Sequence, residues 1–429
     1  MVWLSLMAVG WTLARPEVAR YLHWPEVQPV LAAFTGAGEK PPEFTDDKDW
    51  DSWIRQKDAE LRGRIDRGIE DSISSLVIFG ASFTTLPRLA SASEAVNAAG
   101  DLTPGARARV DAFLQALDRQ DNERLRLTLE FLRRRRVTED ELKAFLSGNL
   151  RRFALDQAAP RGRRNTTASR TDGISSEASM LVNFAIEETL RSLKSKGAIP
   201  AHIRRIAVIG PGLEFAGLPE VYDLCPPQSV QPFAVLEGVL RLGLAQPSDV
   251  QVTAFDASPL VLSHLRASAA RARAGRYTLQ LPRPASSHWN AAASAYWQHL
   301  GETIGAPATS ITAPPGVEVR AIAIKAQFAA HISVEELNIV TQTLEAAPGQ
   351  SFDLVILTNV LSHYSPLEQA LALAGIAQML TGGGILLESG TPPAQKPKEF
   401  ETLFESLGAN VVSYSDGGTG DTVAMYRRR

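Results

Sequence analysis

A chain of 429 residues is longer than one ordinary hydrophobic core supports and implies two domains or three. With 45% hydrophobic and 21% charged residues the composition is globular, which excludes a disordered or fibrous chain. A net charge of −3 gives no reason to expect nucleic acid as a partner. The one cysteine, Cys225, excludes an internal disulfide framework and any cysteine-based metal cluster, and seven scattered histidines without H-E-x-x-H spacing leave a metal site unsupported.

The first stretch, Val2 to Ala14, is apolar and carries Trp3, Leu4, Leu6, Met7 and Trp11. It is too short to span a bilayer comfortably. It has the length of a signal-peptide core but lacks a basic start and an A-x-A site. A first helix packed on an N-terminal domain is therefore preferred over an export signal, and a cytoplasmic protein without a stable membrane span over an exported one.

Residues 16 to about 157 read as helices, so 1–157 is expected to be a helical N-terminal domain. Trp50 to Phe79 opens on aromatics, continues as a charged helix and ends on the apolar patch Leu76 to Phe79. Ala106, Val110, Phe113, Leu114 and Leu117 recur at helical spacing. Thr138 and Glu141 form a capping box ahead of Leu142, Phe145, Leu146, Leu150 and Phe153. The run Arg133 to Arg136 could serve as a phosphate or acidic-partner patch. Its place at the end of a helical stretch, where cations favour the macrodipole, fits a solvated helix end better.

Arg161, Arg163, Arg164 and Arg170 among Asn, Thr, Ser and Gly mark a linker or mobile loop over residues 158–175. Ser175 or Ser176 then caps a helix with Val182, Ile186, Leu190 and Leu193 on one face, ending near Gly197.

From Ile206 strands and helices alternate. Ile206 to Ile209 is an uncharged run that reads as a strand buried on both faces, and it stops on Gly210-Pro211-Gly212. Glycines there let the backbone turn sharply and leave room for a ligand against the main chain. Val250 to Phe255 is a second strand ending on Asp256, and Ser258-Pro259 starts a helix. Tyr277 to Leu281 and Val317 to Ile324 read as strands flanking an insertion at about 283–316. Ser333 and Glu336 form a capping box over an expected helix with Leu337, Val340 and Leu344. Phe352 to Thr358 is a buried strand. Ser365, Pro366 and Glu368 cap a helix expected to end at Gly382 to Gly384. Ile385 to Glu388 is a strand, Glu399 to Leu407 a helix, and Val411 to Tyr414 with Val423 to Tyr426 a closing β-hairpin. Such alternation implies an α/β fold: a doubly wound, mostly parallel seven-stranded sheet with a terminal antiparallel hairpin over 176–429, preceded by the helical domain.

Taken in order, the glycine turn, the acid at Asp256, the FDLVILTNVLSHY stretch, the GGGILLES strand and the hairpin resemble the class I, Rossmann-like S-adenosylmethionine-dependent methyltransferases. The resemblance covers roughly Arg204 to Arg429. It implies S-adenosylmethionine as cofactor, with Gly210, Pro211 and Gly212 passing under its methionine and ribose and Asp256 accepting the ribose hydroxyls. It brings Asn359 to the cofactor and His363 and Tyr364 to the methyl group as the candidate catalytic pair, acting on a small-molecule acceptor. Asn359 lacks the Pro-Pro-aromatic run of amino-methylating nucleic-acid and protein enzymes. Two positions depart from the family pattern. Val208 stands where an acid is usual, and Glu214 where a third glycine is usual, which makes Glu214 the candidate to replace that acid. Two alternatives remain open: a catalytically silent binding module on the same fold, and a nicotinamide-dinucleotide protein. The second would require glycine at Phe215 and an acid about 20 residues after the turn.

Overall fold

A computed structural model describes residues 18–32, 34, 44, 47–120, 122–158, 180–213, 223–345, 349–390, 400–418 and 420–429. The expectations placed on residues 1–14, on the loop at 160–176 and on Glu214 lie outside them. The chain begins with β1 (Ala19–Tyr21) and α1 (Trp24–Ala32), then follows α2 (Asp47–Phe79) for 33 residues. At 1.5 Å per residue that helix is about 50 Å long, enough to reach across two cores. Its first half buries Trp50, Ile54 and Leu61 among residues of the sheet. Its second half buries Ile65, Ile69, Ile73 and Leu76 among the helices that follow.

Those helices are α3 (Pro104–Arg119), α4 (Glu123–Arg134) and α5 (Glu139–Ala158). Thr103 caps α3 by accepting the Ala106 N–H, with Pro104 at the first helical position, where its missing N–H costs nothing. Ahead of α5, the Glu141 carboxylate accepts both the Thr138 N–H and its hydroxyl, at 3.2 and 2.8 Å.

The remaining elements are α6 (Met180–Ser195), β2 (Arg205–Ile209), α7 (Gln231–Arg241), β3 (Gln251–Asp256), α8 (Pro259–Arg273), β4 (Thr278–Pro284), α9 (Ala291–His299), β5 (Gly305–Ala308), β6 (Val317–Ile324), α10 (Ala326–Ala329), β7 (Ile332–Glu336), β8 (Gln342–Leu344), β9 (Phe352–Thr358), α11 (Pro366–Met379), β10 (Leu380–Ser389), α12 (Phe400–Leu403), β11 (Phe404–Ser413) and β12 (Gly420–Arg428). Seven strands form the main sheet in the order β11-β12-β10-β9-β2-β3-β7. Its pairs are parallel except for those of β12, which runs antiparallel to β10 and β11. The mostly parallel sheet and the antiparallel hairpin expected from the sequence are both present.

Alternate residues of the inner strands enter opposite cores, which is why the runs Ile206 to Ile209 and Leu354 to Leu357 carry no charge. Ile206, Val208, Leu354 and Ile356 face the side of α6 and α7, whereas Ala207, Ile209, Val355 and Leu357 face α1, α11 and the start of α2. From β2 the chain winds outward to β3 and β7, then returns to β9 and winds the other way. The order of winding therefore reverses between β2 and β9, the position at which open α/β sheets leave a crevice at their carboxyl ends.

The N-terminal elements are joined to the sheet's surroundings through β8 and α11. β1 pairs antiparallel with β8, Ala19 opposite Leu344. Glu368, boxed with Ser365 at the start of α11, takes Arg64 at 3.0 Å and Lys57 at 3.4 Å, and all three side chains are at most 4% exposed.

Four expectations are corrected. Residues 333–344 do not form a capped helix. Ile332 to Glu336 instead extend the sheet beside β3, with the Ser333 hydroxyl donating to Thr253 Oγ1 at 3.0 Å rather than capping anything. The Ile332/Val334 alternation and an open parallel edge on β3 prevail over a local capping signal. Of the two strands expected at Tyr277 to Leu281 and Val317 to Ile324, the first starts one residue later, at Thr278, and both lie as β4 and β6 in a separate antiparallel sheet of order β4-β6-β5, not in the main one. The helix expected over 399–407 stops at Leu403, because Phe404 already pairs with Arg428 across the hairpin. Finally, α11 ends at Met379 and Leu380 enters β10 directly, ahead of the glycines.

Candidate functional site

The crevice at the carboxyl ends of β2, β3, β7 and β9 holds a cavity of about 70 Å3. The turn after β2 forms its floor. Gly210 and Gly212 have φ of +63° and +62°, the left-handed region that glycine adopts without strain. The Gly210 N–H donates to the Phe255 carbonyl at 2.8 Å, which ties the turn to β3. A Cβ on Gly210 would stand 2.6 Å from Val360 Cγ2, so close approach as well as φ requires glycine there. Ser229 Oγ holds the far side by donating to the Gly212 carbonyl. Pro211 is buried within the turn and is not among the cavity-lining residues.

Asp256 closes β3 and lines the same cavity. Burial pushes its carboxyl up to about 7, against the opposing pull of N–H donors from Ser258, Ala257 and Gly212. The Ser258 N–H lies 2.7 Å from its Oδ1. Ser258 itself is 3% exposed, lines the cavity, and its hydroxyl has no hydrogen-bond partner. A buried unpaired hydroxyl beside a carboxyl group is the kind of donor set that a polar ligand satisfies.

After β9, Asn359 takes a left-handed φ of +58° while its N–H donates to the Ser389 carbonyl at 2.9 Å. Asn tolerates this region better than most residues, but it is still a strained position at the mouth of the crevice. A single 3-10 turn, Leu361 to His363, then brings His363 and Tyr364 to the cavity wall. Arg64 of α2 donates to the His363 carbonyl, and its guanidinium lies 5.9 Å from the centre of the Tyr364 ring. Burial and the Arg64 charge both lower the His363 pKa, so the imidazole is neutral at pH 7. Burial raises the Tyr364 phenol above its ordinary range and keeps it a proton donor.

Gly210, Gly212, Asp256, Asn359, His363 and Tyr364 thus line one cavity, whereas Pro211 stands behind it and Glu214 lies outside the described residues. The sequence reading missed Leu337, Ile339 and Ile65 on the same wall. The first two follow β7 and went unseen because that strand was read as a helix. Ile65 arrives from α2, and no local pattern announces a contact across so many residues.

A second polar cluster has the spacing of a nucleophile relay. Ser268 Oγ lies 3.0 Å from His264 Nε2, and His264 Nδ1 lies 2.8 Å from Glu123. Ser268 and His264 are 1% and 0% exposed, however, and Arg271 engages both Glu123 and Ser268. With no room for a substrate, this cluster is a dock that joins α4 to α8. Among the described residues no group of His, Cys, Asp and Glu could hold a metal ion, and no helix is long and apolar enough to cross a membrane.

No protein-family model matches the chain, and no curated protein sequence does. Solved structures do match part of it. The N-methyltransferase NodS from Bradyrhizobium japonicum, in complex with S-adenosyl-L-homocysteine, is 12% identical over 57% of this chain and 86% of its own, with a TM-score of 0.28. The magnesium protoporphyrin IX methyltransferase from Synechocystis with bound S-adenosylmethionine is 11% identical over 58% and 80%, also with a TM-score of 0.28. The glycopeptide N-methyltransferase MtfA is 10% identical over 58% and 90%, with a TM-score of 0.29. By its own sheet order and terminal hairpin, the C-terminal part of the chain has the α/β, Rossmann-like architecture that its sequence resembles.

Proposed function

We propose that the chain is an S-adenosylmethionine-dependent methyltransferase acting on a small-molecule acceptor. One observation carries this reading: two left-handed glycines, an acid ending the neighbouring strand and the residues after β9 converge on one cavity at the point where the sheet reverses its winding. Gly210 and Gly212 would lie under the methionine and ribose, Asp256 and Ser258 would engage the ribose hydroxyls, and Asn359 would sit near the methyl-bearing end. The cofactor supplies an already activated methyl group. What is left to the protein is to hold an acceptor atom in line with that group and to exclude water. A neutral His363 can take a proton from the acceptor, and Tyr364 can donate a hydrogen bond to hold it.

The cavity is smaller than the roughly 300 Å3 at which small-molecule pockets begin. Binding a nucleoside therefore requires its walls to yield. Among the described lining residues, Ile65 of α2 is the one that comes from the N-terminal segment. The test is to incubate the chain with methyl-tritiated S-adenosylmethionine and a size-fractionated cell extract. Label is expected in the low-molecular-mass fraction, and an Asp256→Ala variant should transfer none. Label confined to protein or nucleic acid would overturn the small-molecule acceptor, and no transfer to any fraction would overturn the enzyme.

A further inference from the structure

Beside the cavity lies a larger cleft of about 290 Å3, lined by Arg62, Asp66, Arg134, Arg135, Arg136 and Pro259. It shares Ile65 and Ala257 with the cavity as a common wall. Asn359, His363 and Tyr364 do not line it, so it opens beside Asp256 and away from the proposed methyl-transfer end. Four guanidiniums face a single carboxylate among the lining residues. Arg62 is held from outside by Asp58 and Glu336, and Arg134 and Arg135 share Asp66, with Arg135 also reaching Glu70. Among the described residues no ion pair engages Arg136. Its backbone has φ of +56° just past the end of α4, where glycine would be unstrained, and there it donates its N–H to the Arg133 carbonyl at 3.0 Å. The N-terminus of α8, beginning at Pro259, adds its positive end to the same wall.

We propose that this cleft is a binding site for the phosphate group of a small molecule. Carboxylates already answer three of the four guanidiniums, so the charge left for a ligand is that of Arg136, beside the N-terminus of α8. A phosphate dianion presents several oxygens to forked donors arriving from α2 and from the end of α4. The same run of arginines in a merely solvated helix end would need neither a recess nor a partner helix closing it.

The test is calorimetric titration of inorganic phosphate, phenyl phosphate and acetate into the full chain at low salt, with Arg136→Glu as the variant. S-adenosylhomocysteine is titrated in parallel as a control for the neighbouring cavity. Saturable one-to-one binding of inorganic phosphate or phenyl phosphate, but not acetate, is expected, and Arg136→Glu should weaken it by about tenfold or more while leaving the melting curve unchanged. The tighter of the two phosphates distinguishes a free phosphate site from the handle of a larger molecule. Absence of saturable phosphate binding, equal binding of acetate, or unchanged affinity in Arg136→Glu would each overturn the proposal. S-adenosylhomocysteine binding bears only on the methyltransferase reading, so failure of one leaves the other standing.

Discussion

Asp256 illustrates how an acid that lines a cavity can cost the folded chain stability. Its carboxyl is pushed from 3.8 up to about 7 by burial, so ionisation favours the unfolded chain. Between pH 4 and 7 the unfolded state gains by releasing a proton that the folded state retains. Stability owed to this group is therefore full below pH 4, declines as pH rises towards 7, and stays low above it. Asp256→Asn removes the effect while keeping an oxygen for the Ser258 N–H. After discounting for its partial exposure, the variant should gain about 1 kcal/mol over the natural protein at pH 8 and nothing at pH 3.5, as measured by urea unfolding at both values. A variant less stable than the natural protein at pH 8 would show that the carboxylate is held by partners rather than strained by burial. At this scale the sequence was informative. A Gly-Pro-Gly after an apolar run and an acid ending the next strand are local patterns, and the structure brings Gly210, Gly212 and Asp256 to one cavity. Ser258 was legible only as a helix start, since nothing in one sequence tells a satisfied hydroxyl from an unpaired one.

At the scale of elements, α2 is tied down by charges as well as by apolar surface. Glu368 is buried with Lys57 and Arg64, and removing the acid would leave two cations in the interior. Glu368→Gln, which can still accept the cap hydrogen bonds, should cost about 3–5 kcal/mol in denaturant unfolding. A loss below 1 kcal/mol would mean that water reaches the pair. The dock between α4 and α8 is pH-dependent in the opposite sense to Asp256. Burial acts to raise the Glu123 pKa, but hydrogen bonds and the charges of His264 and Arg271 outweigh it and hold the carboxyl near 2. Its contribution is present above about pH 4.5 and is lost as pH falls towards 2. Hydrogen exchange along α4 should report undocking over that range, and Glu123→Gln should already show the loosened exchange at pH 6. Unaltered exchange in that variant would place the docking energy elsewhere. Element identities were legible where periodicity and caps agreed, as at Ser365-Pro366-Glu368. They were not legible at 332–336, where pairing with β3 decides and the capping signal points the other way.

For the whole molecule, a doubly wound, mostly parallel sheet with a closing hairpin was foreseeable from alternating strands and helices, but its strand order was not, since its edge strand β7 carries a helix-capping signal. What could not be read locally is how the N-terminal segment is joined to the sheet's surroundings. β1 pairs with β8, and Ile65 of α2 lines the cavity, contacts that depend on surfaces hundreds of residues apart. The same segment lines the crevice cavity and the arginine cleft and pairs with the buried Glu368. The central claim is that this crevice accepts S-adenosylmethionine once its walls yield. It is tested most directly by calorimetric titration of S-adenosylhomocysteine into the full chain and into Asp256→Ala. Saturable one-to-one binding, weakened by about tenfold or more in the variant, is the expected result. No binding at millimolar ligand by a chain shown to be folded, or equal affinity in the two proteins, would contradict it.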